Sequence, residues 1–128
     1  MQATYTNPFD ELELDRVIFV SVAERAKEAW VDPEDINDVW EIAKGSWVAS
    51  AEKLDRRDML VVVGKDHVVL GVFHVSGFRH DRAGRDHYSK AVFDGAPDAH
   101  RTGILAGRQL PPRLRRKRGQ IRGIWFMG

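Results

Sequence analysis

The apolar residues of the chain are concentrated in residues 58–75, where two β-branched runs flank the turn sequence Gly64-Lys65-Asp66. This pattern predicts a β-hairpin, because β-branched residues favour a pleated surface and glycine favours a turn. Residues 59–63 are apolar without alternation, as expected for a strand that is covered on both faces. Gly71 interrupts the second run, and a glycine inside a strand is typical of a bulge or a close backbone approach. We therefore expect a curled, mostly antiparallel sheet.

Before the hairpin, the pattern predicts one strand and two helices. Residues 16–22 form a β-branched run that predicts a strand, and residues 24–30 predict a short helix. Asp32 and Pro33 are typical of a helix start, so we expect a second helix that runs to about Lys44. Four apolar residues recur at helical spacing and define its buried face: Ile36, Val39, Trp40 and Ala43.

A short joint connects this second helix to the hairpin. Gly45 is expected to end the helix, which places Trp47 in the joint. Ser50 is a candidate N-cap for an amphipathic segment at residues 51–57, because its hydroxyl can accept a hydrogen bond from an exposed amide.

After the hairpin, the pattern is more polar and more often interrupted. Residues 76–90 are too polar for a core element, which predicts an extended functional loop. Residues 88–93 alternate moderately and predict a strand that residues 94–97 end. Residues 113–118 predict one or two helical turns, and residues 121–127 have the apolar content of a last strand.

The predicted order of elements favours an α+β fold with a curled, barrel-like sheet capped by helices. We expect a single domain over residues 1–128, in which the polar residues 1–15 are a loosely held N-terminal arm. The chain has no cysteine, and no apolar run approaches the roughly 20 residues that span a bilayer. We therefore expect a cytoplasmic protein without a membrane partner. The sequence gives no indication of an oligomeric state.

Several segments follow one another in an informative order: Lys44-Gly45-Ser46-Trp47, Asp58-Met59-Leu60-Val61-Val62-Val63, Val69-Leu70-Gly71-Val72-Phe73, Phe93-Asp94-Gly95 and a basic approach to the last strand. Their order and spacing resemble the PUA-like β-barrel superfamily, which includes the EVE, ASCH, YTH and SRA-type domains. The resemblance covers roughly residues 40–128 and does not select one branch. It implies a curled sheet, capped by helices, with a pocket or groove for a nucleobase, in some branches a modified one, or for a stretch of RNA or DNA.

The two halves of the chain carry opposite net charge. Residues 1–60 hold 14 Asp/Glu and 7 Lys/Arg, which gives −7, whereas residues 61–128 hold 13 Lys/Arg and 5 Asp/Glu, which gives +8. Such an asymmetry indicates a polyanionic partner, usually nucleic acid or an anionic membrane. The alternative is a solvated surface whose halves attract each other.

Residues 101–122 contain eight Lys and Arg residues and no acidic residue. The arginine fork matches phosphate geometry, and each neutralised phosphate releases counterions, so such a cluster favours polyanions without reading their sequence. The sequence therefore predicts phosphate contacts for five clustered side chains: Arg113, Arg115, Arg116, Lys117 and Arg118. The alternatives are a role in solubility or pairing with the acidic half.

The four tryptophans divide into core residues and candidate binding residues. Trp30 and Trp40 occupy positions typical of buried helix faces. Trp47 either stacks on a base or packs in the core, and the same two alternatives hold for Trp125 beside Arg122. We predict a base pocket walled by Trp47, with four polar residues near it: Lys44, Ser46, Arg79 and Arg85.

The polar loop suggests a second kind of chemistry. His80-Asp81 and Asp86-His87 flank a segment that contains two arginines. Histidine and carboxylate are metal ligands, but two cations within the site oppose a bound metal. We predict no catalytic residue, no metal and no cofactor, and we expect a module that binds DNA or RNA. Two alternatives stay open: an enzyme that acts on nucleic acid or a nucleotide through residues 80–87, and a protein-interaction subunit.

Overall fold

The structure, a computed structural model, describes residues 7–25, 34–81, 90–118 and 123–127. The strands in this part of the chain are β1 (Val17–Ser21), β2 (Gly45–Val48), β3 (Met59–Val63), β4 (Val69–Asp81), β5 (Lys90–Pro97) and β6 (Ile124–Trp125). The helices that lie wholly within the described residues are α1 (Ile36–Ala43), α2 (Ala51–Leu54) and α3 (Ala99–Leu105). Short 3-10 turns lie at Pro8–Glu11, Leu14–Arg16, Lys65–His67 and Pro112–Leu114.

The described strands form one mixed sheet in the order β2-β5-β4-β3-β1-β6. β1 and β3 are parallel, and the other neighbouring strands are antiparallel. The two ends of the sheet approach each other, because a Cβ atom on Gly123, just before β6, would lie 2.8 Å from the Trp47 ring of β2. The sheet is thus nearly closed into a barrel, which confirms the predicted α+β fold with a barrel-like sheet.

β3 and β4 form the predicted hairpin, and all five residues of β3 are buried. The register shifts between the Val62–Gly71 pair and the Val63–Val69 pair, which leaves one extra residue in β4. Next to this bulge, a Cβ atom on Gly71 would lie 2.5 Å from the side chain of Ile36 on α1. The glycine therefore allows the close approach of helix and sheet that the sequence suggests.

Both faces of the central strands are covered, because successive side chains of β1 and β3 point to opposite faces. One face packs against α1 and α2, and its buried residues include Ile18, Val20, Val39, Leu54, Leu60, Val62 and Phe73. The other face packs against α3 and the two ends of the described chain, and its buried residues include Phe9, Phe19, Val61, Leu105, Leu110, Leu114 and Trp125.

The start of α1 differs from the prediction. Asp35 is its N-cap and accepts hydrogen bonds from the amides of Asn37 and Asp38, whereas residues 32–33 lie outside the described residues. The predicted inward face is confirmed, since all four of its residues pack in the core. Gly45 does not lead into a loop: β2 begins there.

Ser50 caps α2 as predicted, by accepting a hydrogen bond from the amide of Lys53. The strand predicted at residues 16–22 is β1. Residues 23–25 are helical, so the helix predicted at 24–30 begins one residue earlier, and its residues 26–30, with Trp30, lie outside the described residues.

The prediction of a loosely held arm is wrong for residues 7–15. Phe9 and Leu12 are buried in the core, and Asn7 caps the Pro8–Glu11 turn. The guanidinium of Arg57 donates to the carbonyl oxygens of Leu14 and Val17, which fixes the approach to β1.

The polar stretch after the hairpin is more regular than predicted. β4 continues to Asp81 and pairs with β5, so residues 76–81 are strand and not loop, while residues 82–89 lie outside the described residues. Residues 94–97, predicted to end a strand, belong to β5. Pairing between strands gives the backbone N–H and C=O groups their hydrogen-bond partners, whatever the polarity of the side chains. A polar sequence therefore does not exclude a strand.

The C-terminal third also contains differences. Asp98 caps α3, a helix that the sequence analysis does not predict. Instead of a helix over residues 113–118, the chain makes a 3-10 turn at Pro112–Leu114. Within the described residues, the last strand covers Ile124–Trp125, which pairs with β1, and residues 121–122 of the predicted strand lie outside the described residues. In the described part of the chain, no helix combines the length and apolar character required to cross a membrane.

Candidate functional site

Trp47 lies inside the protein and not at the mouth of a pocket. Its side chain is 4% exposed, and its Nε1 donates to the carbonyl oxygen of Ala43 at 2.7 Å. The guanidinium of Arg25 lies 3.5 Å from the ring centroid, and Gly123 approaches the ring edge. The prediction that Trp47 is an exposed stacking surface is therefore wrong, because β2 follows α1 directly and turns the indole inward.

Arg25 uses its donors to hold the junction between α1 and β2. Its guanidinium donates to the carbonyl oxygens of Ile42, Gly45 and Ser46. Burial lowers the pKa of this guanidinium, as expected for a cation taken from water. The guanidinium beside the Trp47 ring thus serves the fold.

The other described residues of the predicted base pocket do not share a surface with the indole of Trp47, because that indole is buried. Ser46 and Arg79 are exposed, and Lys44 pairs with Glu41 at 2.7 Å. The guanidinium of Arg79 lies 3.6 Å from the Asp94 carboxylate. Arg85 lies outside the described residues.

Trp125 is also a core residue, which contradicts its predicted place in a binding site. It is 2% exposed and stacks on Phe19 with 5.7 Å between ring centroids. Its Nε1 donates to the carbonyl oxygen of Leu114 at 2.8 Å. Trp125 therefore positions the turn at Pro112–Leu114, from which the basic residues project.

The basic surface consists of six residues on the segment after α3: Arg108, Arg113, Arg115, Arg116, Lys117 and Arg118. All except the half-buried Arg115 are exposed. Leu110 and Leu114 are buried between them and attach the segment to the core. Nε of Arg115 donates to the carbonyl oxygen of Leu110 at 2.8 Å. The cations are therefore presented by a segment with a defined backbone.

One ion pair tests the alternative that the acidic half neutralises this surface. Arg113 pairs with Asp10, which belongs to the acidic half. Within the described ranges, the ion pairs include none to Arg108, Arg115 or Arg118. Pairing with acidic residues thus accounts for Arg113 and not for these other cations.

The turn Lys65–His67 lies against the basic surface. The amide of Leu110 donates to the carbonyl oxygen of His67 at 2.8 Å, and the Gln109 side chain donates to that of Asp66 at 2.8 Å. Val68 and Gln109 form an isolated β-bridge. The sequence pattern indicates only a hairpin connection at this turn, because the contact joins positions more than 40 residues apart.

His80, which belongs to the alternative enzyme hypothesis, makes contacts that stabilise the fold. Its Nε2 lies 2.9 Å from the carbonyl oxygen of Ala49, and its ring meets Phe78 edge to face. Asp86 and His87 lie outside the described residues. Among the residues that are described, no group of three or more His, Cys, Asp or Glu side chains could hold a metal ion. The expected lack of a metal stays a prediction.

A small mixed-charge cleft of about 110 Å³ lies between the N-terminal turns, β3, β4 and α3. Its lining includes Glu11, Glu13, Arg16, Asp58, Met59, Phe73, His74, Asp98 and Arg101. No local sequence pattern predicts this cleft, because its residues come from distant parts of the chain.

Several charges of the mixed-charge cleft neutralise each other. Arg16 pairs with Asp58 and Glu13, and the hydrogen bond to Asp58 is the main cause that raises the pKa of Arg16. Burial raises the pKa of Asp98, but hydrogen bonds from Arg101 outweigh it and leave this pKa below its usual range. The cleft is acidic and internally paired, so it offers no site for a polyanion.

Comparisons of the chain with protein-family models, with curated proteins and with solved structures gave no match. The class that the fold defines is an α+β protein with a nearly closed, barrel-like sheet. The resemblance to PUA-like domains remains a hypothesis.

Proposed function

We propose that this protein is a nucleic-acid-binding module whose basic surface contacts backbone phosphates. The observation that carries the proposal is the group of exposed cations on the segment attached by Leu110 and Leu114. Four of the six residues of the basic surface, from Arg115 to Arg118, are consecutive in the chain. A polyanion with regularly spaced phosphates can contact several of them together.

The fixed backbone favours binding to a repeated anion. A disordered basic tail would have to be ordered on binding, which costs free energy. Here Trp125 and Leu114 already hold the turn at Pro112–Leu114. Arginine side chains on such a support supply donor forks that fit phosphate oxygens.

Nucleic acid is favoured over an anionic membrane by the polarity around the cations. Proteins that lie on membranes usually combine basic residues with exposed apolar side chains. Among the described residues, Ile104 is the large apolar side chain that is exposed, and it lies on α3, where its carbonyl oxygen accepts a hydrogen bond from Nε of Arg108. One exposed isoleucine at the margin of the basic surface is a small apolar anchor for a membrane.

The proposed binding is through phosphates and does not include a base pocket walled by Trp47. Phosphate contacts position a nucleic acid and carry no sequence information directly. We therefore expect similar affinity for different sequences, and comparison of DNA with RNA is part of the test. The enzyme and protein-interaction alternatives lack a specific observation that favours them.

Neutralising two exposed cations should reduce the salt dependence of binding. We expect the Lys117→Ala/Arg118→Ala variant to bind duplex DNA more weakly and to lose about two units from the slope of log K against log salt, because each lost phosphate contact removes about 0.9. Titrations of duplex DNA and single-stranded RNA at several salt concentrations measure this slope.

Lys53→Glu is the matched control, because it changes the net charge by the same amount as the double variant. Lys53 lies on α2, at the opposite end of β3 from the Lys65–His67 turn. It should leave the slope near that of the wild-type protein. Equal slopes in the wild-type protein and the double variant would contradict the proposal. Binding to phosphatidylserine vesicles without binding to nucleic acid would replace it with a membrane role.

A further inference from the structure

The turn between β3 and β4 has an unusual backbone. Asp66 and His67 both have positive φ, at 58° and 60°. Residues other than glycine rarely have a positive φ. Where they do, the conformation often belongs to a functional site. The turn is held in place from outside, because Gln109 and Leu110 donate hydrogen bonds to the carbonyl oxygens of Asp66 and His67.

The charges around the turn are those of the basic surface. Arg115 is close enough to His67 to affect its titration, and so is the carboxylate of Asp66. Lys65 is exposed at the start of the turn. Arg108 is also connected to this end of the sheet, because its carbonyl oxygen accepts a hydrogen bond from the amide of Val69.

We propose that Lys65 and His67 form the second half of the nucleic-acid surface and contact backbone phosphates beside Arg108 and Arg115. This inference rests on the proposed function and adds a second chain segment to it. Two segments that are distant in the sequence would then bind adjacent phosphates of one strand. Such an arrangement would fix the direction in which the bound strand crosses the surface, in addition to supplying positive charge.

His67 would make the binding depend on pH. Burial, with Arg115 second, lowers the pKa of His67, while Asp66 acts in the opposite direction. The imidazole of the free protein is therefore mostly neutral near pH 7. A phosphate beside it favours the charged form and raises this pKa in the complex.

The sign of the pH effect follows from these two pKa values. Between them, binding takes up a proton, so affinity rises as pH falls through this window. Below the pKa that His67 has in the free protein, its imidazole is charged in both the free protein and the complex. Affinity then no longer increases as pH falls. Each unit by which phosphate raises this pKa corresponds to roughly a tenfold gain in affinity.

The experiment uses the full chain and a single-stranded oligothymidylate, whose phosphates and bases do not titrate between about pH 5.5 and 8. Wild-type affinity should increase as pH falls, by roughly tenfold per unit of pKa change. His67→Asn should remove this increase, and asparagine tolerates positive φ better than most residues. His100→Asn, on α3, is the matched control and should retain the increase.

Lys65→Gln should lower the salt slope on the same oligothymidylate by about 0.7, the value for one phosphate contact on a single strand. Lys53→Gln is its control and should leave the slope unchanged. If Lys117→Ala/Arg118→Ala lowers the slope but Lys65→Gln and His67→Asn behave as wild type, this inference is overturned and the proposed function survives. If the wild-type protein does not bind at all, the proposed function fails as well.

Discussion

Replacing Trp47 with alanine should lower the free energy of unfolding by about 3–5 kcal/mol, the range for removing a large buried aromatic side chain. The indole packs in the core and against Gly123, so its loss leaves a cavity that the surrounding residues close only partly. The carbonyl oxygen of Ala43 also loses its donor. Denaturant unfolding followed by circular dichroism measures the change.

Trp47→Phe separates the two causes. Phenylalanine retains most of the apolar volume but cannot donate to Ala43, so we expect a loss of about 1–3 kcal/mol. Nucleic-acid affinity should stay at the wild-type value in the folded fraction of both variants. A Trp47→Ala protein with unchanged stability and much weaker nucleic-acid binding would return Trp47 to the binding site.

Replacing Gly95 with alanine should be among the most destabilising single changes, with an expected loss of at least about 3 kcal/mol. A Cβ atom on Gly95 would overlap the carbonyl oxygen of His74 and lie 3.0 Å from its carbonyl carbon. Both atoms belong to the backbone of β4, so a side-chain rotation cannot relieve the clash. The β4–β5 pairing would have to shift.

Gly77→Ala is the control for this prediction, because Gly77 lies at the same irregularity of the β4–β5 pairing. A Cβ atom on Gly77 would meet nothing within 4 Å. We expect the stability of this variant to lie within about 0.5 kcal/mol of the wild type. Thermal unfolding of the two variants side by side tests the pair, and similar losses in both would show that the clash at Gly95 is not the cause.

The elements that sequence analysis predicts well are those with a local cause. The hairpin of β3 and β4 has two apolar runs and a turn sequence in one stretch, and all three signals are visible without knowledge of the fold. The buried face of α1 follows in the same way from helical spacing. The cap of α2 depends on Ser50 and an amide only three residues away.

The predictions that the structure contradicts concern properties that depend on residues distant in the sequence. The direction of the Trp47 side chain depends on the pairing of β2 with β5, which no local pattern encodes. The strand at residues 76–81 exists because β5 supplies its backbone partners. The basic residues were evident from charge alone, but their proximity to His67 depends on the contact with Leu110.

The pairing of β1 with β6 has a consequence for how the chain folds. Val20 is opposite Ile124, so this edge of the sheet closes only after a loop of about 100 residues has been brought together. Contacts this far apart in the sequence slow folding, and we expect a time scale of milliseconds to seconds instead of microseconds. Until then β1 exposes an unpaired edge, which is the part of the nascent protein most prone to pair with another chain.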